Sequence, residues 1–315
     1  RTYAYDQYGM PTGRSIAPTA SPGSPLQSYT YAFDHSTGNL TSRADAVHSS
    51  SESFTYDGLN RLTGTTVTTG VGSGNPTTST GTYSFNTKTG AITFKSGEAS
   101  MTYSLWTAPY TLNTAQDLEL NVQRYPGDID IVYNTAWRPH SMSKPGVRAT
   151  LDYGVDGERI RMEVRDSTQA GLISTTDRFY LGGGRYEIDS TSTYSASGGS
   201  SSVLLVRRLY LMGDSYRAPA VYTTTTAVSG GDGGGITETS QILFIGRDYQ
   251  GSITELIGED GALVQSCSYD PWGRPRDAQT LEQYRSDGTD GSGGSAPALL
   301  PRGSLDIRGN TCKQV

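Results

Sequence analysis

The sequence predicts an all-β fold in which repeated β-hairpins form an open or spiralling sheet. Three observations lead there. Hydrophobic residues make up only 34% of 315 positions while glycine occurs 39 times, a balance suited to many short strands, each burying one face, joined by glycine-rich turns. The aromatic residues are 21 Tyr, 6 Phe and 3 Trp. Tyrosine can cover a half-buried sheet surface while its hydroxyl stays wet. Thirdly, one short motif recurs loosely along the chain.

The motif is aromatic–x–aromatic, then a turn. It begins at Tyr3, Tyr5, Asp6 and Gly9, and returns as Tyr31, Phe33 and Asp34 with Gly38-Asn39-Leu40. A third copy carries Phe54, Tyr56 and Asp57 with Asn60-Arg61-Leu62. Weaker copies start at Tyr83, at Ile131 (with Tyr133), at Leu151 (with Tyr153) and at Cys267 (with Tyr269, Asp270 and Gly273). Residues i and i+2 of a strand point to one face, so each aromatic pair shares a surface. An Asp or Asn that follows can bond the backbone ahead and start a turn, and Gly or Asn supplies the positive φ that closes it. From Tyr5 to Tyr56 the anchors recur about every 25 residues, one strand pair with its connections.

Later in the chain, Asp248 and Gly251 precede a strand, and Asp260-Gly261 reads as the next hairpin turn. Segments rich in Thr, Ser and Gly at 68–81, 192–202, 223–240 and 286–298 read as hairpin tips or linkers. Helical character is confined to 277–287, where an Asp precedes helix formers and one or two turns are expected. The expected organisation is hairpins over 1–179, more regular hairpins over 180–285, and a disordered linker with an atypical tail over 286–315.

A net charge of −6 gives no support to non-specific nucleic-acid or anionic-lipid binding. Apolar runs such as Val203–Val206 are far too short to span a bilayer. Two cysteines, Cys267 and Cys312, cannot staple a domain of this size. The three histidines, His35, His48 and His140, lack paired ligand spacing, so no metal and no cofactor is expected. The chain opens in mid-pattern without a leader, as an internal piece of something longer would.

The hairpins resemble the tyrosine-aspartate repeats of the Rhs family. The motifs RYEID, RRLYLMGDSYRAPAVY, FIGRDYQGSITELIGEDGALVQSCSYDPWGRPRD and LLPRG resemble the start of the Rhs-repeat-associated core of bacterial polymorphic toxins. The resemblance implies a strip of hairpins spiralling into a hollow shell around a C-terminal cargo. It implies a secreted or cell-surface setting, with the rest of the Rhs chain or its cargo domain as partner. Many members end in an aspartyl self-cleavage segment, but here the sole Asp-Pro, Asp270–Pro271, precedes LLPRG and is followed by Arg274-Pro275. No catalytic residue is therefore carried over, and Asp270 is expected to start a turn.

After LLPRG the chain reads SLDIRGNTCKQV. One base restored upstream would turn the codons of Ser-Leu-Asp-Ile into Phe-Thr-Gly-His, as the resemblance expects. The tail from Ser304 thus reads as a frame-shifted remnant, with a divergent C-terminus as the alternative. A different reading of the aromatic rows is surface glycan binding, for which Trp106, Trp137 and Trp272 are the candidate contacts; packing within the repeat is the competing reading.

Overall fold

The computed structural model describes residues 1–96, 99–103, 112–117, 130–136, 138–167, 169–197, 201–229 and 235–282. Trp106, Trp137 and the segment 286–315 lie outside them, so those expectations have no structural account.

The fold is all-β, with no helix among the described residues. A ten-stranded antiparallel sheet runs from β1 (Thr2–Tyr5) through β2 (Pro11–Ile16), β3 (Gln27–Phe33), β4 (Leu40–Asp45), β5 (Ser50–Tyr56), β6 (Leu62–Thr69), β7 (Thr77–Phe85), β8 (Ile92–Lys95) and β9 (Ala99–Tyr103) to β10 (Leu112–Asp117). An eleven-stranded sheet follows: β11 (Asp130–Tyr133), β12 (Pro139–Lys144), β13 (Val147–Tyr153), β14 (Arg159–Asp166), β15 (Leu172–Leu181), β16 (Tyr186–Ser195), β17 (Ser201–Leu211), β18 (Ala220–Ser229), β19 (Ile236–Arg247), β20 (Ile253–Ile257) and β21 (Leu263–Ser266). A small pair, β22 (Ser268–Tyr269) with β23 (Pro275–Arg276), closes the described chain. In each sheet every strand pairs with its sequence neighbours, as consecutive hairpins must. The pairing runs unbroken through position 180, which lies inside β15, and the sheets part after β10.

The Thr- and Ser-rich segments 68–81, 192–202 and 223–240 each span the end of a hairpin, as expected, and their flanks run on as strand: Thr77–Gly81 in β7, Ser192–Ser195 in β16, and Thr223–Ser229 and Ile236–Ser240 in β18 and β19. Threonine is β-branched and fits a pleated surface. The expected helix does not form over 277–282. Asp277 does bond the amides of Gln279 and Thr280, yet Leu281 adopts φ of +57° and the Asp277 N–H returns to the Glu282 carbonyl, which closes a turn.

The buried face of β15–β19 is mixed, with charged and polar side chains beside the apolar Tyr210, Val221, Leu243 and Ile245. Arg178, Glu187, Asp189, Arg208 and Thr223 are buried on one face. On the other, Phe179, Leu209, Tyr222 and Phe244 are 37–44% exposed. Apolar cores form at three places: Val147, Ala149, Leu151, Met162 and Val164 in β13–β14; Tyr210, Val221, Leu243, Ile245 and Leu256 in β17–β20; and Tyr31, Leu40 and Phe54 in β3–β5.

Candidate functional site

The repeat motif resolves into one turn, built many times. In the copies starting at Asp6, Asp57, Asn134, Asp248 and Asp270, the first residue's N–H donates to the carbonyl four residues on. Its side-chain Oδ1 accepts from the amides at +2 and +4. The fourth position takes a positive φ at Gly9, Asn60, Gly251 and Gly273. Turns at Gly154 and Gly258 keep the same backbone but move the carboxylate to the third position, where Asp156 and Asp260 each accept from the amide two residues on. Gly157 and Gly261 supply the positive φ. Asp34 and Asn86 open versions one residue longer, closed by Gly38 and Gly90.

The register slips at the aromatic residue before these turns, at Tyr5, Phe33, Tyr56, Tyr133 and Tyr153. These are β-bulges, which strengthen local twist and bend the strip. The left-handed position is therefore specific. Gly251→Val is expected to lower stability by about 1–2 kcal/mol, whereas Gly251→Asn costs a fraction of that, Asn60 already occupying the equivalent place. Urea titration of the two variants checks the difference; equal losses would refute it.

Strands β13–β20, whose register shifts only at Tyr153 and Arg247, line a cavity of about 1230 Å³. Its wall includes Tyr153, Arg159, Arg178, Tyr180, Glu187, Arg208, Tyr210, Thr223, Arg247 and Tyr269. Asp189, behind the wall, receives both nitrogens of the Arg178 fork and Arg208 Nη1 at 2.7 Å. Burial works against ionisation of Asp189, but Arg178 and then Arg208 hold its carboxyl below the usual range. Tyr210 donates to Glu187 Oε2 at 3.2 Å. A buried carboxylate between two guanidinia gives the wall a fixed shape, because moving one member strands the others.

The last hairpins return to the first sheet and make a seam. Tyr249 seats its ring against Tyr31 and Phe33, with centroids 4.9 and 5.5 Å apart. Glu52 Oε1 bridges Arg43 Nε at 2.6 Å and Arg276 Nη2 at 2.5 Å, and Arg43 Nη2 also bonds the Tyr269 carbonyl at 2.6 Å. Gln27 Nε2 bonds the Arg247 carbonyl, Thr254 Oγ1 and the buried Glu255 carboxyl. Arg14 Nη1 reaches the Asp248 carbonyl at 2.6 Å. The seam joins residues more than 200 positions apart.

The sequence candidates fall into these features. Tyr31, Phe33 and Tyr56 belong to one core with Tyr249. Tyr5 lies exposed on edge strand β1. Arg61 pairs with Asp57 at 2.6 Å and lies 4.5 Å over the Phe85 ring. Tyr153 packs on the β13–β14 core and donates to the Pro139 carbonyl. Asp270 has its Oδ1 engaged by the Trp272 and Arg274 amides, with Gly273 at φ +80°. Trp272 lies edge-on to Tyr83 at 5.2 Å under Lys95, in packing rather than as an open platform. His35 and His48 pair with Asp6 and Asp45, and His140 faces the Leu151 carbonyl. No cluster able to hold a metal ion occurs among the described residues. Asp189, Glu52 and Glu255 were not singled out from the sequence. For Asp189 the available signal is a charged residue alternating with large apolar ones inside a strand, as in RYEID; Glu52 and Glu255 carry no such pattern.

No family model matches the chain, and no curated protein matches it in sequence. In fold it is similar to a solved structure of the Photorhabdus luminescens Tc holotoxin pore containing a TccC3 variant, with a TM-score of 0.54 and 15% identity. The match covers 86% of this chain and 14% of that one, so the chain spans about one seventh of the length of its structural neighbour.

Proposed function

We propose that the chain is a non-catalytic wall segment of an Rhs-type shell, which encloses or presents an effector in a secreted toxin complex. The observation that carries this reading is the strip itself: consecutive hairpins line a cavity, fixed charges stand on its wall, and the seam ties the strip's end to its start. The fold likeness to a toxin-complex structure and the family resemblance of the Tyr-Asp hairpins support the same reading. The partner in this reading is the remainder of such a chain or its cargo.

Enclosure is testable by accessibility. In a Cys312→Ser background, Ser252→Cys places a thiol on the cavity wall, and Thr224→Cys places one on the opposite face of β18. A small maleimide is expected to label both, and a polymer-linked maleimide too large for the cavity only the second. Equal labelling by the polymer would remove the basis of the reading.

A further inference from the structure

We propose that Arg138 and Arg159, at the cavity wall, form a binding site for an anionic group carried by an elongated ligand lying in the cavity. The reasoning starts from what arginines do elsewhere in the molecule. Withdrawn from water, a guanidinium needs oxygen acceptors. Arg43 and Arg276 share Glu52, Arg178 and Arg208 share Asp189, and Arg247 bonds the carbonyls of Ser215 and Gly251.

Arg159 breaks the pattern. It is half-buried, its Nε is sealed from solvent with no acceptor, and its Nη1 reaches only the Met162 sulfur at 4.0 Å. Its guanidinium stands 5.9 Å over the Tyr180 ring. Arg138 stands 5.5 Å over Tyr153 and crowds Gly157, where a Cβ would collide with the guanidinium. Among the described residues neither arginine has a carboxylate within ion-pair distance. Asp156 and Glu158, on the same turn, line the cavity without reaching them. Two unneutralised forks thus face a cavity in a chain of net charge −6, each positioned against an aromatic ring.

The far end of the same wall is also incomplete. Thr223 is 2% exposed, lines the cavity, and its hydroxyl has no partner. Register links Tyr180 to Glu187, Glu187 to Arg208 and Arg208 to Thr223. Three strand spacings put Thr223 about 14 Å along the sheet from the Tyr180–Arg159 end. A ligand that satisfies both ends carries a carboxylate or phosphate at one end, for bidentate pairing with arginine. It carries a hydroxyl or other polar group at the other. The inference concerns the small-ligand chemistry of the cavity and does not depend on the enclosure reading.

The probes are trigalacturonate, tripolyphosphate and uncharged maltotriose, titrated calorimetrically into the full chain at fixed ionic strength. Saturable binding of trigalacturonate identifies a carboxylate source, and binding of tripolyphosphate alone a phosphate source. In either case Arg159→Gln is expected to weaken affinity at least tenfold, with Arg159→Lys intermediate because the charge stays and the fork is lost. Arg165→Gln, at an exposed position on the opposite face of β14, is expected to leave affinity unchanged. If Arg159→Gln proves unstable by urea titration, Arg138→Gln takes its place. Binding of neither anion, equal binding of maltotriose, or equal weakening by Arg165→Gln overturns the proposal.

Discussion

Glu52→Ala is expected to lower the stability of the fold by about 3–5 kcal/mol, the usual cost of removing one member of a buried ion cluster. Here a single carboxylate serves two guanidinia, Arg43 and Arg276, and all three are withdrawn from solvent. Losing it leaves two like charges facing each other in a dry seam. The damage is directional, because Arg276 belongs to β23 and Glu52 to β5, so the substitution detaches the C-terminal hairpin from the first sheet. Replacing the whole cluster by apolar residues of similar volume would be far milder, which makes Glu52→Leu with Arg276→Met and Arg43→Met the informative comparison. Although burial pushes the Glu52 carboxyl up, Arg276 and then Arg43 more than offset it and hold it at about 2. A carboxylate depressed in the folded state contributes stability that is full above about pH 4.5 and is lost as pH falls toward 2. Urea titrations at neutral and acid pH should show the single variant losing this acid dependence together with its stability. A loss below 1 kcal/mol would mean that the seam is held elsewhere.

Much of the fold was legible because the turns are local. An Asp that bonds the amides at +2 and +4, followed by a Gly or Asn with positive φ, needs nothing beyond five residues. Hence the turn at Asp270-Gly273 is legible from sequence alone, and Asp260-Gly261 likewise from its Asp-Gly pair. The face of each strand was not legible in the same way. Alternation normally places apolar residues inside, whereas in β15–β19 Arg178, Asp189 and Arg208 are buried and Phe179, Leu209 and Tyr222 face outward. Pairing across three strands, which brings Asp189 between its two arginines, offsets the cost of burying those charges beside an apolar core. The seam was illegible for a similar reason: Gln27 and Glu255 are separated by 228 positions, and no local pattern marks either. The Thr-rich segments were legible as hairpin ends, but how far their flanks continue as strand was not, because their composition matches linkers while their backbone preference matches strands.

The buried Glu255 gives the second large effect, and its sign is opposite to that of Glu52. Its carboxyl lies 1% exposed beneath Gln27 and beside Gly246. Burial pushes it up, and the Asp45 charge adds to this. Hydrogen bonds from Thr254 and Gln27 and the nearby His48 pull the other way without cancelling it, which leaves the group at about 8. The folded protein therefore holds a proton that the unfolded chain releases near pH 4.5, so stability falls as pH rises from about 4.5 to about 8, at most by about 1.4 kcal/mol per unit. His48, raised by its bond to Asp45, adds a decline of the same sign, but only above its ordinary value of about 6.5. The window from pH 4.5 to 6.5 therefore separates the two. Glu255→Gln keeps an acceptor for Gln27 and Thr254 and carries no proton to lose. It is expected to make the decline in that window shallower, leaving the part due to the buried Asp248, whose carboxyl burial also pushes up, and to be more stable than the parent at pH 8. Chemical denaturation at half-unit steps from pH 4.5 to 8.5 provides the measurement. Parallel curves for parent and variant would mean that Glu255 is ionised in the seam, and that the contact with Gln27 is a charged one.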